Sequence, residues 1–207
     1  MENPSPLNNE PSQYESVGSF IFEIVKIFIL AFIIIVPIRM FLFQPFFVQG
    51  ASMEPNFENN EYLIINELGY KETKVGIGSR DIFTVGDFKE FKREEIAVFK
   101  YPKNPSQFFI KRVIGLPGEK IELKNGKIKI YNKENPEGFI LDESFYLSQQ
   151  IFTQGEVVLQ LEEDEYFVMG DNRSKSSDSR SWGAVPKVDI IGKVIFRAWP
   201  LNRINIF

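Results

Sequence analysis

The 207-residue chain contains no cysteine and no histidine. Without cysteine there is no disulfide framework, no thiol nucleophile and no thiolate metal site. Without histidine there is no imidazole general base and no ordinary zinc site. A serine hydrolase built from this chain could not use the Ser-His-Asp arrangement. It would need another base, and a lysine held neutral by burial is the alternative that chemistry offers. Strong charge of either sign is also missing: the net charge of −4 gives no reason to expect nucleic acid as a partner. The lack of cysteine suits a non-reducing compartment.

What is present begins with an apolar run. Residues 1–19 are polar, rich in Pro, Ser and Asn, and read as a disordered tail. From Phe20 the chain is apolar to Ile38 except for Glu23 and Lys26, and the run continues past Arg39 to Phe43. Glu23 and Lys26 are three apart, so on a helix they can pair. About 20 residues suffice to cross the hydrocarbon of a bilayer, so residues 20–43 read as one transmembrane anchor. The tail lacks Lys and Arg, which argues against a cleaved leader. The same lack means that charge bias gives no support for a cytoplasmic N-terminus.

Beyond the anchor, residues 44–207 read as one mainly β catalytic domain, and the roughly 160 residues are enough for a real core. Short apolar runs at 61–66, 96–99, 107–114, 157–161, 166–169 and 193–199 predict strands. Runs at 119–123 and 127–131 flank Asn125-Gly126, a strong hairpin signal. Residues 67–93 read as a Gly- and charge-rich connection and 132–165 as largely irregular. Many short strands separated by turns suggest a barrel-like sheet.

Three stretches carry candidate chemistry. In Gly50-Ala51-Ser52-Met53-Glu54-Pro55 a serine sits among small residues that would let another backbone approach its hydroxyl; serine in such a turn is also an ordinary turn residue. In Phe108-Phe109-Ile110-Lys111-Arg112-Val113-Ile114 alternation puts Phe109, Lys111 and Val113 on one face. A lysine so flanked is either desolvated, which lowers its pKa, or an edge-strand lysine with its head in water. The stretch Gly170-Asp171-Asn172-Arg173 through Gly183 packs acids, bases and hydroxyls into one loop. It fits a hydrogen-bonded cage or a solvated tip, and it matches neither the calcium-loop nor the phosphate-loop pattern.

Taken in order behind an apolar anchor, these motifs resemble those of bacterial type I signal peptidases. The Ile96-Ala97-Val98-Phe99 strand, the Gly115-Leu116-Pro117-Gly118 turn, Asp178-Ser179-Arg180, Trp182-Gly183 and Ile191-Gly192-Lys193-Val194 add to the resemblance, which covers about residues 20–207. It implies a membrane-bound serine endopeptidase that removes signal peptides from exported preproteins. Ser52 would be the nucleophile and Lys111 the general base. Ser176 would hydrogen-bond and orient that lysine. Asp171 with Arg112, and Asp178 with Arg180, would brace the site. It further implies a two-part β fold whose non-catalytic part comes from about 119–166. The N-terminus would be cytoplasmic, the catalytic domain extracytoplasmic and the protein single-pass in the cell membrane. The partners are preproteins and the lipid bilayer, with no metal or organic cofactor.

One position departs from some members of that family, which carry a serine two residues before the nucleophile to help hold the oxyanion. Here it is Gly50, so the oxyanion hole would rest on backbone N–H groups, chiefly that of Ser52. Two other readings compete. One is a self-cleaving Ser/Lys autoprotease of the soluble type; the other is a membrane-anchored β module without catalysis.

Overall fold

The computed structural model describes residues 17–41, 43–77, 80–86, 89–148 and 150–207. Residues 1–16 of the expected polar tail lie outside the described residues. The chain divides into two compact units, 1–39 and 40–207. The first is built on helix α1 (Val17–Phe41), 25 residues long, or about 37 Å at 1.5 Å per residue. It starts three residues before the expected Phe20. Its stretch Val17–Val36 is long and apolar enough to cross a membrane. Phe20, Phe22, Phe28, Leu30, Ile33 and Ile35 are all exposed. A helix apolar all round has no stable place in water, and lipid would supply the missing cover.

In the second unit the elements follow as β1 (Phe43–Phe47), β2 (Tyr62–Asn66), β3 (Thr73–Ile77), β4 (Arg80–Val85), β5 (Ile96–Tyr101), β6 (Asn104–Gly115), β7 (Lys120–Lys124), β8 (Lys127–Tyr131), β9 (Phe139–Ile140), β10 (Val157–Gln160), β11 (Glu165–Met169), the short helix α2 (Ser179–Trp182), β12 (Val185–Pro186), β13 (Ile190–Trp199) and β14 (Asn205–Ile206). The fold is mainly β, as expected. The large sheet runs β1-β2-β13-β5-β6-β11-β12, with β14 beside β13. The small sheet runs β10-β7-β8-β9 and comes entirely from residues 120–160. Phe43, expected as the last residue of the anchor, instead opens the edge strand β1 that runs on to Phe47. Pro45 is tolerated there because the outer side of an edge strand needs no N–H donor.

Strand β5 shows why its sequence is apolar throughout. Ile96 and Val98 enter one core with Met53, Phe57, Leu63, Ile65 and Val194. Ala97 and Phe99 enter the core on the opposite face with Val113, Tyr166, Val168 and Ile190. A strand buried on both faces loses its alternation. A third core joins the two sheets: Ile114, Phe167 and Met169 of the large sheet pack on Ile121, Leu123, Ile128 and Ile130 of the small one. The β7–β8 turn has Asn125 at φ 51° and Gly126 at φ 75°, the paired positive φ of the tight hairpin that Asn-Gly predicts.

Two differences from the sequence reading have clear causes. Residues 67–93 hold the β3–β4 hairpin, whose apolar positions are interrupted by Gly76 and by charges, so its period is faint. The loop after β11 is not all irregular: Asp178 caps α2, its carboxylate accepting from Arg180 N.

Candidate active site

Ser52 lies in the turn that follows β1. The turn is closed by the Phe57 amide donating to Met53 O at 2.9 Å. The Met53 and Phe57 side chains are each 1% exposed and plug the core beneath. Apolar residues just after the serine therefore fix its backbone. Lys111 is on β6, on the same face as Phe109 and Val113. It is 4% exposed, and its Nζ stands 5.2 Å from the centre of the Phe109 ring. The desolvated alternative is the one realised.

The Nζ of Lys111 is 2.7 Å from Ser52 Oγ and donates to Ile110 O at 2.9 Å. Burial lowers the Lys111 pKa to about 8, against the pull of the Asp178 and Asp171 charges, which raise it. As an ammonium Nζ donates to the serine; once neutral it can accept the serine proton over the same short path.

Arg112, next along β6, points to the other face of the strand. Its Nε and one terminal nitrogen clasp Asp171 at 2.8 and 2.6 Å, and both side chains are buried. Arg180 clasps Asp178 at 2.8 and 2.9 Å. Burial alone would raise the Asp178 carboxyl, but the Arg180 bonds and charge and the Gly170 N–H outweigh it and hold it below the ordinary carboxylate range. Each acid that acts on Lys111 therefore carries its own guanidinium. The loop meets the serine through its backbone: Asn172 N donates to Ser52 O at 3.0 Å. A Cβ at Gly170 would overlap both Ser52 O and Ser176 Oγ, so only glycine allows the approach.

Two expected roles read differently in the geometry. Ser176 Oγ is buried and acts on the Asp178 carboxylate, which its hydroxyl helps to hold low, while Lys111 bonds Ser52 and Ile110 O instead. Ile110 O, one residue from the lysine on its own strand, takes one of the amine's donors. Gly50 holds φ 90°, a left-handed value that favours glycine. Its N–H donates to Asn59 Oδ1 at 2.9 Å, so that amide is engaged.

The serine opens onto a cleft of about 650 Å³. One wall is the 46–51 segment, the other is 106–110 of β6, and Lys175 and Ser177 also line it. The Phe46 and Phe108 rings meet at 5.7 Å, although β1 and β6 are not neighbours in the sheet, so the sheet curls to bring them together. Beside β6, β11 pairs only at Arg112, Val113 and Gly115. The earlier part of β6 has β5 on one side and, among the described residues, no strand on the other. Sequence reasoning missed Asn56, whose Nδ2 donates to Asp171 Oδ2 at 2.8 Å. The signal was its place four residues after Ser52, one turn away.

Comparison with known proteins gives the family. Residues 21–199 match the family model described as signal peptidase, peptidase S26. The chain belongs to the signal peptidase family. Signal peptidase I P of Bacillus subtilis subsp. natto is 34% identical over 190 residues, which cover 90% of this chain and 94% of that one. Signal peptidase I of Bacillus amyloliquefaciens is 32% identical over 193 residues, 92% and 94% of the two chains. A solved signal peptidase I from Enterococcus faecalis V583 aligns with 51% of this chain and 97% of its own, at 31% identity and a TM-score of 0.42. For a signal peptidase of this family, the Ser52–Lys111 pair at the head of the cleft is the place to look for the chemistry.

Proposed function

We propose that this signal peptidase cleaves signal peptides from preproteins with Ser52 as nucleophile and Lys111 as general base. The single observation that carries the reading is a buried amine 2.7 Å from a serine hydroxyl, in a chain with no imidazole and no thiol. The preprotein lies extended in the cleft between the 46–51 segment and the open edge of β6. This mode reads backbone and leaves side-chain choice to shallow pockets. Phe46, Leu63, Val98, Phe108 and Ile110 give those pockets apolar walls, suited to small side chains before the cut.

Neutral Lys111 takes the Ser52 proton as Oγ attacks the scissile carbonyl. The Ser52 N–H faces the oxyanion; losing one such donor commonly costs about 3 kcal/mol. The C–N bond then breaks, and the Lys111 ammonium gives its proton to the departing amine, leaving an ester on Ser52. Water attacks that ester while neutral Lys111 takes the water proton, and the ammonium returns a proton to Ser52. Asp171 with Arg112, and Asp178 with Arg180, hold the walls of the site. Ser176 orients Lys111 when its hydroxyl turns from the Asp178 carboxylate toward the amine.

The apolar α1 spans the membrane once, with the catalytic unit on the extracytoplasmic side, and keeps enzyme and membrane-held substrate at high local concentration. The family match takes in most of that helix, which a soluble self-cleaving protease would not need. The test is detergent-solubilised protein incubated with a preprotein: wild type should release the mature chain and Ser52→Ala should not. Processing by Ser52→Ala at the wild-type rate would refute the assignment.

A further inference from the structure

Outside the motifs that the chemistry uses, one segment of the small sheet's return path reaches into the site. Residues 139–156 contribute Glu143, Tyr146, Thr153 and the carbonyl of Gln154 to the underside of the 170–180 loop. Arg173 is 3% exposed. Its guanidinium donates to both oxygens of Glu143 and to Thr153 Oγ1 at 2.6 Å, and its Nε donates to Gly170 O at 3.1 Å. The Tyr146 hydroxyl donates to the same Glu143 carboxylate, and the Tyr146 ring lies 4.1 Å from the Arg112 guanidinium carbon. On the serine's side, the amide of Asn56 donates at once to Tyr146 O and to Asp171 Oδ2, each at 2.8 Å.

These contacts form a closed circuit. Asn56 belongs to the turn of Ser52, Asp171 to the loop whose Asn172 amide holds Ser52 O, and Arg112 adjoins Lys111 on β6. Glu143 and Tyr146 touch the loop and the strand together. None of Asn56, Glu143, Tyr146 or Arg173 lines the cleft, so none is placed to meet substrate. Burying an ion pair, a tyrosine hydroxyl and an amide has a desolvation cost that a plain apolar contact would not carry, and here all of it is directed at the three segments that carry Ser52, Lys111 and Asp171.

We infer that Glu143, Tyr146 and Asn56 are positioning residues, a polar bracket by which the small sheet sets the Ser52 turn, the 170–178 loop and β6 in register for catalysis. The small sheet is thereby part of the catalytic apparatus and not only a surface elaboration. The inference rests on the Ser52–Lys111 reading. A displacement of about 1 Å at a reacting pair can cost on the order of 100-fold in rate, so loosening the bracket should show in kcat. The cleft walls are untouched, so KM should hold.

The experiment measures kcat and KM on a peptide substrate, and the acylation rate of Ser52 by a serine-reactive probe, for Tyr146→Phe, Glu143→Gln and Asn56→Ala in detergent-solubilised full-length enzyme. All assays run well below each variant's melting temperature. The expected result is a kcat loss of roughly 10-fold for Tyr146→Phe and more for the other two, with acylation slowed in parallel and KM within about twofold. A lower melting temperature with wild-type kcat and acylation rate would show a structural role only and overturn the inference. So would a raised KM with kcat unchanged. Should Glu143→Gln fail to fold, Tyr146→Phe decides alone, since it deletes one hydroxyl and keeps the ring on Arg112. Ser52→Ala, run alongside, separates the two proposals. If it stays active the Ser/Lys reading fails; if it is dead while the bracket variants match wild type, only the bracket fails.

Discussion

The amide of Asn172 donates to the carbonyl oxygen of Ser52 at 3.0 Å. This bond joins two segments 120 residues apart in sequence through main chain alone, so among substitutions at the two residues only proline at 172 removes one of its groups. The carbonyl of the serine is held by the loop and its hydroxyl faces the amine of β6. The two tethers together define where the nucleophile stands. Anything that moves the loop moves the serine relative to Lys111.

The pH dependence follows from the amine. Lys111 must be neutral to act as a base, and burial brings its pKa down to about 8. Below that value the ammonium predominates, so kcat/KM should fall about tenfold for each pH unit. Above it the rate should level off. A peptide substrate with no group titrating between pH 6 and 10 makes the measurement clean. A rate independent of pH across that range would rule out Lys111 as the base.

The same burial has a stability consequence of definite sign. The lysine pKa is lower in the folded chain, about 8 against 10.5 for a lysine in water. Between those values the unfolded chain holds a proton that the folded one has released, so stability rises with pH through that window. Below pH 8 the penalty is fully present, about 3 kcal/mol at most. Lys111→Met removes it while losing the bonds to Ser52 and Ile110 O, worth about 1–2 kcal/mol together. The variant should be inactive yet melt a few degrees higher at pH 7, with the advantage shrinking by pH 10. Thermal denaturation at the two pH values checks both statements.

The face of β6 was legible because period-2 alternation needs only the sequence: Phe109, Lys111 and Val113 fell together, and Arg112 opposite them reached Asp171. The Asn-Gly hairpin was legible for the same local reason. The doubly buried β5 could be read as a strand, though not as the middle of a sheet. What no local pattern could supply was the return of residues 139–156 beneath the catalytic loop. Glu143 and Tyr146 are ordinary polar residues in an irregular stretch, and their importance exists only once the two sheets pack through Ile114 and Phe167. The engagement of Gly50 N–H by Asn59 was hidden likewise, since nothing in the sequence says which turn side chain folds back.

The guanidinium of Arg180 screens Lys111 from Asp178. Arg180→Gln leaves a buried carboxylate without its cation, so Asp178 pulls harder on the lysine proton. The midpoint of the pH–rate curve should move up, by roughly half a unit to one unit. Breaking the buried pair should also cost about 3–5 kcal/mol of stability, so the assay belongs well below the new melting temperature. A midpoint that stays near 8 or falls would contradict the screening account.

Two glycines of the site should behave differently for steric reasons. At Gly170 an added Cβ meets Ser52 O and Ser176 Oγ. The first is backbone held by Asn172, which cannot rotate away, so the loop or the serine must shift. Gly170→Ala should therefore cut kcat by on the order of 100-fold or more, as a misplacement near 1 Å does. At Gly50 nothing lies within 4 Å of the added carbon, and only the left-handed φ of 90° resists it. Gly50→Ala should cost about 1–2 kcal/mol of stability and leave most of the activity if the backbone keeps its course. Parallel assays of kcat and melting temperature distinguish the cases. Equal loss of activity in both would mean that the curvature of the chain at Gly50, and not the approach at Gly170, governs the placement of Ser52.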